Sequence, residues 1–174
     1  MVEKAEMKGM QLNGHRKKIN VVRATQERTG ILYSEQRYLS SSKAVVDTFG
    51  KLFENAGVEY CVAVALTKKA EPVAIQVIGI GGLDSAFVSI PDILRFVLLS
   101  NSNSLILLHN HPSGNPRASY EDVMITEKIE KACKMMDIEL LDHVIIGDVG
   151  CGYSCKEEKM IYTEDYADKL VKGA

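Results

Sequence analysis

The chain has 174 residues, 46% of them hydrophobic and 25% charged, with a formal net charge of −2. That length supports one domain with a substantial core, and the composition excludes a disordered or collagen-like chain. The near-neutral charge offers no general attraction for nucleic acid, and no apolar stretch reaches the roughly 18 residues of a membrane span.

The charge is uneven along the chain. Residues 1–28 hold seven Lys/Arg against three Glu, and the remainder is acidic. Residues 1–18 show no periodicity and are expected to form a loose basic arm, with a single domain over 19–174. The start, MVEKAEMKGMQ, lacks the apolar region of a signal peptide. The cysteines at 61, 133, 151 and 155 show no C-x-x-C spacing. Cys61 and Cys133 fall in apolar patterns, and Cys151 and Cys155 have no second pair to complete a zinc site, so all four read as structural. A reducing, cytoplasmic setting without membrane contact is expected.

In chain order, INVVRATQ (19–26) reads as a first strand from its β-branched content. SSSKAVVDTFGKLFENAG (40–57) reads as a helix capped by its serines and closed by Gly57, with Val45, Phe49, Leu52, Phe53 and Ala56 inward. VEYCVAVALT (58–67) has the continuous apolar run of a strand buried on both faces. After a polar turn at 68–71, PVAIQVIGI (72–80) returns as the second arm of a hairpin. Gly79, Gly81 and Gly82 do not complete a dinucleotide loop and read as a strand end or bulge.

IPDILRFVLLSN (90–101) is a helix with Pro91 and Asp92 in its first turn, and SLILL (104–108) is a short buried strand. SYEDVMITEKIEKACKMM (119–136) is the longest helix, with Val123, Ile129, Ala132, Cys133 and Met136 inward. IELLDHVIIGD (138–148) is a strand, GYSC (152–155) pairs with it, and TEDYADKLVKG (163–173) closes the chain as a helix. This mixture predicts an α/β (α+β) fold, a mixed central sheet flanked by helices.

The chemistry concentrates in LLHNHPSGNPRASYED (107–122). A strand places residues i and i+2 on one side, so His109 and His111 point the same way. Pro112 and the turn Ser113-Gly114-Asn115-Pro116 end the strand. A helix starting near Ser119 then brings Asp122 back toward the histidines. Two imidazoles and one carboxylate leave a fourth tetrahedral position open for water, as in catalytic zinc sites. Ser119 followed three residues later by an acid is also a capping-box start, and the two readings are compatible. A two-His-one-carboxylate set also describes non-haem iron(II) oxygenases. Those sites usually sit on β-barrels, whereas this motif joins a strand to a helix.

The pattern H-x-H-x7-S-x2-D resembles the JAMM (MPN+) metalloprotease motif, matched by His109, His111, Ser119 and Asp122. HNHPSG (109–114), SYED (119–122) and LDHVIIGD (141–148) resemble the bacterial RadC proteins more closely still, within a likeness spanning roughly residues 27–162. The resemblance implies an MPN/JAB, cytidine-deaminase-like architecture and Zn2+ held by His109, His111 and Asp122. It also implies an upstream glutamate acting as general base. Glu59 in VEYCVAVAL occupies that place, with Cys61 where the family has an aromatic. The implied activity is hydrolysis of a peptide or isopeptide amide bond by a metal-activated water. Glu59 would move the proton and Ser119 would donate to the oxyanion.

The partner implied is a peptide or protein substrate, with homodimerisation left open. Longer RadC proteins carry an N-terminal helix-hairpin-helix DNA-binding module, which a leader of this length does not accommodate, so nucleic-acid binding is not expected. The competing classes are an inactive interaction module and a DNA-associated accessory module that uses the basic leader. His143, next to Asp142, is read as a satisfied structural histidine, with support of the metal site as its alternative.

Overall fold

The computed structural model describes residues 20, 22–81, 88–148, 150–164, 166 and 167. Its strands are β1 (Tyr60–Leu66), β2 (Pro72–Ile80), β3 (Ser104–Asn110), β4 (Glu139–Ile146), β5 (Cys151–Ser154) and β6 (Lys159–Tyr162). They form one mixed sheet in the order β2-β1-β3-β4-β5-β6, in which only the β3–β4 pair is parallel. The helices are α1 (Ser42–Phe49), α2 (Ile90–Leu99) and α3 (Tyr120–Met135). The expected mixed sheet flanked by helices is what forms. Among the described residues no helix is long and apolar enough to cross a membrane.

Side-chain alternation along the strands divides the interior into two cores. Val62, Val64, Leu66, Ile106 and Leu108 pack with Val45, Val46 and Phe49 of α1 on one face. Cys61, Ala63, Ala65, Leu105 and Leu107 pack on the other, against Ile93, Phe96 and Val97 of α2 and Ile125, Ile129 and Cys133 of α3. β3 is buried along its whole length. Each buried Leu or Ile there contributes about 1.5–3 kcal/mol, which makes β3 the most firmly held strand and a rigid support for whatever stands at its end.

Several local expectations are corrected. No strand forms at 19–26 among the described residues. Residues 22–26 run exposed and irregular, and Gln26 Nε2 donates to Phe96 O (3.2 Å) and Ser100 Oγ (3.0 Å) of the α2 region instead of joining a ladder. Residues 1–18, 19 and 21 lie outside the description. The helix predicted over 40–57 ends at Phe49 and tightens into a 3₁₀ turn over Gly50–Phe53. That tightening turns Leu52 outward, and Asn55 rather than Gly57 takes the left-handed conformation (φ 62°) that ends the segment. Ser41 supplies the predicted cap, accepting from Ala44 N at 3.2 Å. β6 was not expected. It is four residues long and buries Ile161 alone, too short for a period-two signal. The closing helix begins at Glu164, and residues 168–174 are not described.

The glycines read as a strand end or bulge mark both. The β1–β2 register shifts between Cys61 and Val62, opposite Gly79 and Val77, and Gly81 follows at φ 116°; Gly82 is outside the described residues.

Beyond β3 the chain folds back onto the β4–β5 turn. His111 N donates to Ile146 O (2.9 Å), Gly114 N to His111 O (3.0 Å) and Asp148 N to Gly114 O (3.1 Å). Gly114 sits at φ 79°, a conformation suited to glycine. Gly147 is essential for a different reason: a Cβ there would lie 2.3 Å from Gly114 O and 2.7 Å from Pro116 Cδ. HNHPSG and IIGD are therefore two halves of one contact. Gly147→Ala is expected to lower stability by about 1–3 kcal/mol through backbone overpacking. A urea-unfolding midpoint unchanged from wild type would contradict this nesting.

Candidate metal centre

The site assembles at the end of β3 from three elements. His109 is the penultimate residue of β3 and fully buried. His111 follows the strand end, yet its hydrogen bond to β4 extends the ladder by one residue, so the period-two expectation survives. The two ring centroids lie 4.7 Å apart and the Nε2 atoms 2.9 Å apart. Asp122 arrives from the first turn of α3, 3.2 Å from His109 Nε2 through Oδ1 and 3.4 Å from His111 Nε2 through Oδ2. One donor atom from each residue lies within 4.8 Å of the others, the spacing of a metal-ligand set.

The capping box at the head of α3 orients the carboxylate. Ser119 N and Ser119 Oγ both donate to Asp122 Oδ2 at 2.7 Å, and Asp122 N donates to Ser119 Oγ at 3.1 Å. These bonds use Oδ2 and leave Oδ1 buried with no hydrogen-bond partner among the described residues. An orphaned buried carboxylate oxygen is costly unless a cation meets it. His111 points its other nitrogen at a pure acceptor: Nδ1 lies 2.8 Å from Asn115 O. The proton of neutral His111 is therefore on Nδ1, and its Nε2 lone pair faces inward. The residues present fit a cation such as zinc, held by His109, His111 and Asp122, with no thiolate among the donors.

The electrostatics agree. Burial alone would raise Asp122, but its contacts with His109, His111 and Ser119 outweigh that and hold the carboxylate well below its usual range. Burial pushes His109 down, against the pull of Asp122. The half-buried His111 is raised, chiefly by its contact with Asp122. Glu59 adds negative potential at both imidazoles.

Glu59 reaches this neighbourhood because β1 pairs antiparallel with β3, Cys61 opposite His109. Continued two residues back, that register would set Glu59 level with His111 on the same face of the sheet, in keeping with the potential it adds at both imidazoles. Sequence reasoning missed the residue that holds it there. Asn110 is buried between the two histidines and faces the other way. Its Oδ1 accepts from Tyr60 N (2.8 Å) and its Nδ2 donates to Val58 O (3.0 Å), so it clamps the backbone on both sides of Glu59. The signal available was an amide inside an otherwise apolar buried strand.

The side chains of Asp142 and His143 do not pair with each other, since adjacent strand residues face opposite sides. Asp142 accepts from Ser42 Oγ (2.8 Å), Ser154 Oγ (2.7 Å) and Lys156 N (3.1 Å), tying α1 to the β5 end of the sheet. His143 is fully buried on the α3 side with its Nε2 2.8 Å from His109 Nδ1. His143 is thus a satisfied buried histidine, as expected, and its contact with His109 is the geometry that the supporting role requires. Cys151 and Cys155 are free thiols, and burial raises both, Cys155 to about 12.

The profile of the RadC-like JAB domain family matches residues 39–160. The chain is 42% identical over 103 residues to a UPF0758 protein of Alkaliphilus metalliredigens, covering 59% of this chain and 44% of that one. It is 35% identical over 126 residues to a UPF0758 protein of Methanosarcina mazei, covering 72% and 55% respectively. A UPF0758 protein of Caldanaerobacter subterraneus is 37% identical over 128 residues, covering 74% and 47%. The chain spans about half the length of these curated relatives.

Metal binding should depend on pH with a defined sign. Proton and cation compete for His111, whose titration its contact with Asp122 raises, while Asp122 stays ionised. Affinity is expected to fall as pH drops through the His111 titration, on the order of tenfold per pH unit below it. Chelator competition from about pH 8 to about pH 6 measures this. Affinity that does not change over that range would remove His111 from the ligand set.

Proposed function

The chain belongs to the RadC-like JAB domain family, and from that premise we propose that it is a zinc-dependent hydrolase of the JAMM type, cleaving a peptide or isopeptide amide bond. One observation carries the reading: two imidazole nitrogens converge on the buried Asp122 carboxylate, whose Oδ1, facing His109, has no hydrogen-bond partner among the described residues. Three protein ligands without a thiolate match catalytic rather than structural zinc, because a position remains open for water or substrate. When bound, zinc supplies Lewis acidity that brings the pKa of water toward neutrality.

The chain's own residues supply the rest. Glu59, level with His111, takes the proton of the attacking water and returns it to the leaving amine. Asn110 holds the Glu59 backbone, so the carboxylate needs little reorganisation. Ser119 Oγ lies beside the ligand carboxylate; by turning its hydrogen from Asp122 Oδ2 it donates to the developing oxyanion. His111 forms the more open side of the site and His109 the buried floor, so substrate approaches over His111. A peptide or protein is the substrate class this reading names.

Glu59→Gln keeps size and hydrogen-bonding reach but removes the basic oxygen. Metal content should survive while turnover on a peptide or isopeptide library falls roughly 10²–10⁴-fold. Ser119→Ala should cost less, roughly 10²–10³-fold. Loss of zinc in Glu59→Gln would make Glu59 a ligand, and full activity would place the base elsewhere.

A further inference from the structure

A line of hydrogen bonds runs from α3 through β4 to the back of His109. Thr126 Oγ1 lies 2.5 Å from Asp122 O and 2.6 Å from His143 Nδ1, and His143 Nε2 lies 2.8 Å from His109 Nδ1. None of these contacts is to a substrate position, and the hydrolase reading does not need them to move.

The proton positions follow from the chemistry of the partners. Two oxygens 2.5 Å apart repel unless a hydrogen lies between them, and the Asp122 carbonyl has none, so the Thr126 hydroxyl donates to it. That uses the hydroxyl's one hydrogen. At 2.6 Å, His143 Nδ1 must then be the donor to Thr126 Oγ1. His143 is fully buried with no carboxylate in hydrogen-bonding contact among the described residues, so it is neutral and carries that one proton. Its Nε2 is a bare lone pair, which accepts only if His109 carries its proton on Nδ1. His109 Nε2 is thereby left without hydrogen, facing His111 Nε2 and Asp122 Oδ1.

We propose that Thr126 and His143 are positioning residues that lock His109 into the tautomer with its proton on Nδ1, keeping its Nε2 free for a metal. This inference rests on the metal-site reading above, but the lock itself is a property of the metal-free protein. An ordinary metal-bound histidine gives its outer N–H to a carboxylate, carbonyl or water. Here a second buried imidazole fills that place, and it accepts in the right sense only because a helix hydroxyl two bonds away has its hydrogen committed. Without the hydroxyl, His143 is free to carry its proton on Nε2 and donate to His109 Nδ1. His109 would then hold its own proton on Nε2, in the space the cation needs.

The test is ¹⁵N NMR of the histidine rings in metal-free protein, paired with zinc affinity by chelator competition, for wild type, Thr126→Val and Thr126→Ser. In wild type both His109 and His143 should show a protonated Nδ1 and a bare Nε2. Thr126→Val, nearly isosteric, should move both protons to Nε2 and weaken zinc binding about 10–100-fold. Thr126→Ser should restore the wild-type ring signals and the affinity. Wild-type His109 carrying its proton on Nε2 would overturn the proposal even if no variant folds. It would also be overturned by Thr126→Val retaining the wild-type tautomers, or by Thr126→Ser losing affinity as Val does. Wild-type tautomers as predicted in a protein that takes no zinc would sink the metal reading and leave the lock intact.

Discussion

Two imidazole nitrogens 2.9 Å apart, facing the two oxygens of a carboxylate with almost no access to water, repel one another unless positive charge lies between them. The remaining structure around them is arranged to keep that space supplied with lone pairs. Asn115 O takes the outer proton of His111, His143 takes that of His109, and Ser119 takes up the second oxygen of Asp122. The raised pKa of His111, caused chiefly by its contact with Asp122, reflects the same demand for positive charge. A metal cation meets it with three ligands at once, which is why the centre is better described as a set of donors than as an ion-paired histidine cluster.

The fold holds these donors on its least mobile parts. β3 is buried along its length between β1 and β4, and both neighbours contribute: β1 brings Glu59 level with His111 and β4 supplies His143. The loop carrying His111 is nested against the Gly147 turn so closely that neither Gly114 nor Gly147 has room for a side chain. Asp122 stands where the positive end of the α3 dipole favours a carboxylate, and the cap fixes its rotamer. The same residues that start the helix therefore also prepare the ligand.

Much of this was legible in sequence. β1, β2, β3, α2 and the β4–β5 pairing follow apolar periodicity and turn chemistry, and His109, His111 and Asp122 follow from strand and helix geometry. What failed has physical reasons. Hydrophobicity alone reads the inward face of α3 as Val123, Ile129, Ala132, Cys133 and Met136, of which Ile129 and Cys133 are buried. Val123 and Met136 are exposed, and the buried stripe is Asp122, Ile125, Ile129 and Cys133. A functional carboxylate occupies an apolar slot, which rotates the face by about one residue. The strand expected at 19–26 had β-branched content, but its described residues join no ladder, and pairing is a tertiary property. Asn110, Thr126 and His143 act through partners 52, 17 and 34 residues away, and no local pattern encodes those contacts.

The central claim is that one cation sits between His109, His111 and Asp122. X-ray absorption at the zinc edge, on protein whose metal content has been measured, tests it most directly. The account predicts about one zinc per chain, two imidazole nitrogens at about 2.0–2.1 Å, oxygen completing the shell and no sulfur. A sulfur scatterer at about 2.3 Å would bring a cysteine into the site and contradict the ligand set. Protein that binds no zinc under conditions where it is folded would contradict the account altogether.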